Sequence, residues 1–189
     1  MKRIAVYCAS SDEVPAAYFE AARDVGRALA VRGIEMVYGG GNVGLMGAAA
    51  DACLGAGGRV IGVIPQKLVD HERAHTGLSE LYVVDSMHPR KMMMASLSSA
   101  FMVLPGGFGT LDELFEALTW NQLGYHQKPV GLLNVDGYFD HLLAFLDRAE
   151  TDRCLRAESK ASLVSAADVE EMLKAFDERR AHIKSVLRT

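Results

Sequence analysis

Short apolar runs, many of them β-branched, alternate with helical patterns along the chain, and this alternation constrains the fold more than any other feature. The segments between the runs carry apolar residues at the three- and four-residue spacing of one helix face. Because the runs are apolar throughout, the sheet that they form should be parallel and covered by helices on both faces. The predicted strands are 4–8, 34–38, 59–64, 81–84, 101–104, 130–134 and a short edge strand at 162–164; the predicted helices are 16–32, 45–56, 89–99, 110–123, 138–149 and 166–184.

Right-handed crossovers turn this pattern into a Rossmann-like, doubly wound parallel sheet of about six to seven strands, flanked by helices in three α/β layers. The chain has 189 residues, no internal repeat and no linker rich in proline or serine, so we expect one domain over residues 1–189. In such sheets ligands bind beyond the carboxyl ends of the strands. Small residues follow three of those ends, with Ser10 after the first strand, Gly40 after the second and Gly106 after the strand 101–104.

Charge, cysteine content and apolar run length argue against several classes of protein. The net charge of −4 offers no basic surface for a nucleic-acid backbone, so we expect no nucleic-acid partner. No apolar run reaches the ~18 residues of a membrane span, so we expect no membrane partner. The three cysteines form no C-x-x-C pair and suit a reducing compartment. We therefore expect a cytoplasmic protein.

The strongest local motif is the glycine-rich stretch at residues 105–113, PGGFGTLDE. A glycine-rich turn leads there into a helix whose first N–H groups lack intrahelical partners, and these groups with the helix dipole form a site for phosphate. Glu113 has two explanations at this stage. It is either a catalytic carboxylate or the second half of a capping box that begins at Thr110.

Two other motifs match known signatures but lack the structural context that those signatures need. Residues 39–47, GGGNVGLMG, contain G-x-G-x-x-G, but they follow the second strand and lack the acidic residue that holds a ribose about 20 positions later. We interpret them as a nucleotide-contacting loop and not as an NAD site. Residues 71–75, HERAH, match a zinc-protease motif, but no long helix is predicted there. We therefore expect no metal site.

Residues 87–94, MHPRKMMM, combine two cations with three consecutive methionines. Consecutive helical residues point about 100° apart, so at least one methionine should line a pocket or a subunit interface, and we favour an interface. Arg90 and Lys91 open the helix, where cations oppose its dipole, so we expect an anionic partner for them. Phe115 and Trp120 lie at helical spacing and are expected in the core.

The motifs GGGNVGLMG, MHPRK and PGGFGTLDE, in this order, resemble the LOG ("lonely guy") family of cytokinin riboside 5′-monophosphate phosphoribohydrolases, which are often labelled lysine decarboxylases. The resemblance implies hydrolysis of the N-glycosidic bond in purine-type nucleoside 5′-monophosphates (cytokinin riboside 5′-monophosphate, AMP or both), without a cofactor, by a homodimer. It implies that Arg90 and Glu113 are the catalytic pair. The residues that it implies for substrate and phosphate binding are Ser10, Gly40, Gly41, Asn42, Glu72, Lys91, Gly106, Gly107, Gly109, Thr110 and Thr119.

A non-catalytic carrier of a nucleotide or of the molybdenum cofactor is the main alternative, because one fold hosts several functions. The Arg90 and Glu113 pair in its motif context favours the enzyme. A pyridoxal-phosphate decarboxylase would need a Schiff-base lysine with a partner for the pyridinium nitrogen, and no lysine here has that setting. Breaking an N-ribosidic bond builds positive charge on the sugar, so we expect Glu113 to stabilise that charge and activate water. Arg90 stays protonated and is expected to orient Glu113 and the substrate.

Overall fold

A computed structural model describes residues 1–69 and 74–186 of the chain, with side chains up to residue 180. The described residues form seven strands and seven α-helices, which alternate except that α5 and α6 follow one another, together with two short 3-10 turns at Gln66–Leu68 and Val135–Gly137. The strands are β1 (Arg3–Tyr7), β2 (Glu35–Tyr38), β3 (Val60–Pro65), β4 (Glu80–Val84), β5 (Phe101–Val103), β6 (Val130–Leu133) and β7 (Leu163–Ala166). The helices are α1 (Ala16–Val31), α2 (Gly44–Gly55), α3 (Met87–Leu97), α4 (Phe108–Gln122), α5 (Asp140–Thr151), α6 (Ala157–Lys160) and α7 (Val169–Val186).

The strands form one parallel sheet in the order β4-β3-β2-β1-β5-β6-β7. The chain moves outward from β1 to β4, crosses back through α3, and continues from β5 on the other side of β1. Ligands of doubly wound sheets bind at such a reversal, here between β1 and β5. The predicted parallel, Rossmann-like sheet is confirmed, and so is the short last strand at an edge, because β7 pairs with β6 alone.

The core lies in two layers because successive residues of each buried strand point to opposite faces of the sheet. In β1, Ile4 belongs to the layer that contains residues of α1, α2 and α7, whereas Ala5 belongs to the layer that contains residues of α3, α4 and α5. Helices α1 and α2 approach especially closely at Gly26, where an added Cβ would lie 2.2 Å from the carbonyl oxygen of Ala49. No helix within the described residues is long and apolar enough to cross a membrane.

Two predictions about α4 are wrong. The helix begins at Phe108, two residues earlier than predicted, because Gly107 takes the N-cap position. Thr110 therefore lies inside the first turn, where it cannot be the N-cap of a capping box, so the capping-box explanation of Glu113 fails. Phe115, expected in the core, is 38% exposed on the outer side of α4, whereas Trp120 is partly buried against the core.

Candidate active site

A cavity of about 300 Å³ opens where the carboxyl ends of β1, β2 and β5 meet. The end of β1 supplies one wall, the start of α4 supplies another, and α3 contributes a buried arginine. This is the sheet edge at which the sequence predicts a ligand site. The predicted site residues that line the cavity are Ser10, Arg90, Gly107, Gly109, Thr110 and Glu113.

The first turn of α4 presents backbone N–H groups to this cavity. The first hydrogen bond of the helix runs from the Leu111 N–H to the Gly107 carbonyl at 3.0 Å. Within the described residues, the N–H groups of residues 107–110 donate no hydrogen bond. Space is open around the α-carbons of Gly107 and Gly109. Unpaired N–H groups at the positive end of a helix dipole favour an anion, and a phosphate fits this arrangement.

Position 106 requires glycine because the Thr110 side chain lies too close for a Cβ, and not because of its backbone angles. A Cβ at this position would lie 2.2 Å from Oγ1 of Thr110, whose side chain folds back under the loop. Thr110 is only 4% exposed, yet it lines the cavity. Gly106 therefore leaves the room behind the loop that the Thr110 side chain occupies.

The end of β1 lies between the two glycine loops and fixes their spacing. The Ala9 N–H donates to the Pro105 carbonyl at 3.0 Å, and the Ala9 carbonyl accepts from the Leu45 N–H at 3.0 Å. Gly44 has φ of +56°, and a Cβ there would lie 2.5 Å from the carbonyl carbon of Ser10. Only glycine allows the second loop to pack this tightly against the first strand.

Arg90 is 6% exposed, and it joins the ends of two strands. Its Nε donates to the Val63 carbonyl at 3.1 Å and its Nη2 donates to the Gly39 carbonyl at 3.0 Å. A Cβ at Gly39 would lie 2.1 Å from Nη2, so the glycine makes room for the guanidinium. Because arginine stays protonated, these contacts hold a permanent positive charge at the cavity wall.

Glu113, half-buried in α4, lies within electrostatic reach of the end of β1. Burial first, and then the negative charge of Glu113, raises the pKa of Tyr7 and the pKa of the Cys8 thiol well above their ordinary values. Both groups therefore remain neutral at physiological pH. Sequence reasoning did not select these two residues, although their position at the end of the first strand, separated from Ser10 only by Ala9, could have indicated them.

Lys91 does not line the cavity. Its Nζ forms ion pairs with Asp112 at 3.0 Å and with Glu116 at 3.1 Å, which tie α3 to α4. The predicted anionic partner of Lys91 is therefore supplied at least in part by two side chains of α4.

The remaining predicted residues lie outside the lining of the cavity. Gly40 and Gly41 are buried in the second loop, where the Gly40 carbonyl accepts from the His75 N–H at 3.0 Å. Asn42 and Thr119 are exposed. Glu72 lies outside the described residues, as does His71 of the HERAH motif.

The second histidine of that motif is engaged in local hydrogen bonds. Nδ1 of His75 accepts from the Gly77 N–H at 3.0 Å, and Nε2 lies 2.9 Å from Oδ1 of Asp51. His75 therefore links the segment after residue 73 to α2. In the part of the chain that the structure describes, no three metal-ligating side chains cluster.

Comparison with known proteins points to one family. The family described as "Possible lysine decarboxylase" matches residues 46–176. The chain is 46% identical over 188 residues to a probable cytokinin riboside 5′-monophosphate phosphoribohydrolase of Oryza sativa subsp. japonica, covering 99% of this chain and 84% of that one. It is also 46% identical over 176 residues to a cytokinin riboside 5′-monophosphate phosphoribohydrolase of Arabidopsis thaliana, covering 93% and 82% of the two chains.

Solved structures share the fold over nearly the full length. The molybdenum cofactor carrier protein of Chlamydomonas reinhardtii matches with a TM-score of 0.74 at 23% identity, covering 95% of this chain and 98% of that one. The molybdenum cofactor binding protein of Rippkaea orientalis matches with a TM-score of 0.69 at 27% identity, covering 98% and 97%.

Proposed function

The chain belongs to the LOG family of cytokinin riboside 5′-monophosphate phosphoribohydrolases, and we propose that it hydrolyses purine-type nucleoside 5′-monophosphates to free base and ribose 5-phosphate. One observation in the structure carries the proposal. The free N–H groups at the start of α4, the carboxylate of Glu113 and the cation of Arg90 share one cavity of about 300 Å³. Five residue steps separate Phe108 from Glu113, which is about 7.5 Å along a helix axis.

The 5′-phosphate is the part of the substrate that this cavity binds most directly. The N–H groups of Gly107, Gly109 and Thr110, with the Thr110 hydroxyl, would receive its oxygens. Binding energy from a group remote from the reacting bond positions the ribose for attack.

Glu113 would then act at the anomeric carbon. As the C–N bond breaks, positive charge develops on the ribose ring, and a nearby carboxylate stabilises that charge. The same carboxylate takes a proton from the water that attacks the anomeric carbon. Arg90 orients the carboxylate and the substrate through charge-assisted hydrogen bonds. The base takes its proton from solvent, either directly or relayed by Asp112, which lines the cavity and accepts from Lys91 as a carboxylate.

The label of lysine decarboxylase does not fit the residues of the site. A pyridoxal-phosphate enzyme forms a Schiff base with a lysine, and no lysine is among the described residues that line the cavity. Lys91 is ion-paired with α4, and the Nζ of Lys128 donates to the Ala95 carbonyl at 2.6 Å. We propose that the reaction uses the protein's own side chains and no organic cofactor.

We also propose that the enzyme is a homodimer joined through the outer surface of α3 and α4. The three consecutive methionines diverge as helical geometry requires: Met94 is buried, Met93 is half-buried and Met92 is 62% exposed. Exposed apolar side chains on neighbouring helices favour a protein interface. Sedimentation of the wild type and of Met92→Asp tests this. A monomeric wild type contradicts the proposal.

Base release is the direct test of the function. Metal-free protein is incubated with AMP and with N6-isopentenyl-AMP, and free base is followed by chromatography. Release of base and ribose 5-phosphate in equal amounts supports a phosphoribohydrolase, and the ratio of the two rates ranks the substrates. Binding of both nucleotides without release would favour the carrier function of the structural neighbours.

A further inference from the structure

Two carbonyl groups of the phosphate loop (residues 105–110) are held by hydrogen bonds from residues outside the loop. The Pro105 carbonyl accepts from the Ala9 N–H at 3.0 Å, and the Gly106 carbonyl accepts from the Tyr138 hydroxyl at 2.8 Å. In a trans peptide the C=O and the N–H that follows it point in opposite directions. The described residues contain no cis peptide. The two hydrogen bonds therefore turn the N–H groups of Gly106 and Gly107 away from Ala9 and Tyr138.

For Gly107 this direction matters because the residue lines the cavity. If the Gly106–Gly107 peptide rotated, the Gly107 N–H would leave the cavity and a carbonyl oxygen would replace it. A carbonyl there repels a phosphate, whereas an N–H binds it. Glycine on both sides leaves this peptide with little steric resistance to rotation. The Tyr138 hydroxyl is the contact that holds its carbonyl in place.

The turn that carries Tyr138 is itself held by side-chain contacts. The Asn134 side chain accepts from the Phe139 N–H at 2.7 Å and donates to Asp140 at 2.8 Å. These bonds close the connection between β6 and α5 on both sides of Tyr138. The tyrosine is therefore presented by a fixed turn and not by a free loop.

The Tyr138 ring is also packed between aromatic neighbours. It meets the Tyr18 ring edge-on at a centroid distance of 5.5 Å and the buried Phe139 ring at 4.9 Å. Edge-to-face contacts at these distances are favourable, and they fix the direction in which the hydroxyl points.

We propose that Tyr138 is a positioning residue that selects for a phosphate monoester by fixing the peptide direction of the phosphate loop. The inference rests on the proposed function and adds a residue that does not line the cavity. Tyr138 touches no reacting atom, so its contribution is to the affinity for the phosphate and not to the rate of the chemical step.

Tyr138→Phe is the test, because it removes the hydroxyl and keeps the ring. Tyr18→Phe is the matched control, since it belongs to the same ring pair and its hydroxyl makes no hydrogen bond to the loop among the described residues. Losing one hydrogen bond is expected to raise KM for AMP about three- to tenfold. The Kd of ribose 5-phosphate, measured by calorimetry, should rise by the same factor. The value of kcat should stay within about twofold, and the Kd of adenosine, which has no phosphate, should not change.

Each outcome decides the proposal. A Kd for ribose 5-phosphate that rises in Tyr138→Phe alone supports it. An unchanged Kd overturns it, and so does an equal weakening of adenosine and ribose 5-phosphate, which would indicate general damage to the site. The calorimetry needs no turnover, so it judges Tyr138 even if the wild type releases no base and the proposed function fails.

Discussion

Glu113→Gln separates the chemical role that we propose for this residue from the effect of its charge on binding. The substitution keeps the shape of the side chain and removes the negative charge and the basic oxygen. General base catalysis by a positioned side chain is worth about 10²- to 10⁴-fold, so kcat for base release should fall by about 10³-fold.

The same substitution should strengthen the binding of AMP, although it lowers kcat. If the phosphate occupies the start of α4, it lies roughly 8 Å from Glu113 by helix rise. Two unit charges at that distance in water repel by about 0.5 kcal/mol, and a dianion doubles this to about 1 kcal/mol. Removing the carboxylate should therefore tighten AMP binding about fivefold. A capping residue would show neither change.

Base release by chromatography and AMP binding by calorimetry together test this prediction. Glu116→Gln is the control, because Glu116 lies three residues further along α4, pairs with Lys91 and does not line the cavity. It should leave kcat within about twofold of wild type. Near-normal turnover of Glu113→Gln would refute the assignment of the base, and strongly weakened AMP binding would refute the position of the phosphate.

Three further predictions address the scaffold around the site. Arg90→Lys loses two hydrogen bonds from a charged group to backbone carbonyls, so thermal unfolding should occur about 6–12 °C lower and kcat/KM should fall at least about tenfold; an unchanged melting temperature contradicts this. Gly26→Ala forces a Cβ against a backbone oxygen at 2.2 Å and should cost about 1–3 kcal/mol in urea denaturation, whereas Gly55→Ala meets open space and should stabilise by about 0.5–1 kcal/mol. Burial raises the pKa of Cys8, and only a thiolate reacts rapidly, so iodoacetamide at pH 8 should label the exposed Cys154 first by mass spectrometry; equally fast labelling of Cys8 would show that the cavity wall is open.

The pattern of apolar residues was sufficient to predict the sheet, because strands buried on both faces leave continuous apolar runs in the sequence. The same pattern was insufficient to predict where α4 begins and which of its side chains are buried. The TxxE pattern at Thr110 and Glu113 is a real cap signal, but the preceding glycine took the N-cap position, which no pattern of apolar residues reveals. Phe115 follows the apolar spacing of a helix face, but its side chain is exposed in the described chain. The hydrogen bond between Tyr138 and Gly106 joins residues 32 positions apart, so no local motif could predict it.

The reversal between β1 and β5 also determines when the site can exist during folding. On one side of β1 the paired strands follow one another in the chain, whereas the junction of β1 with β5 joins residues 96 positions apart, as in the hydrogen bond from the Ser99 hydroxyl to the Arg3 carbonyl. Closing such a distant pair is slow, and the first four strands leave the ribosome before β5 does. A ligand stabilises only a state that binds it. Nucleotide therefore stabilises the fully folded protein against unfolding, and it does not stabilise a chain that has folded only its first half.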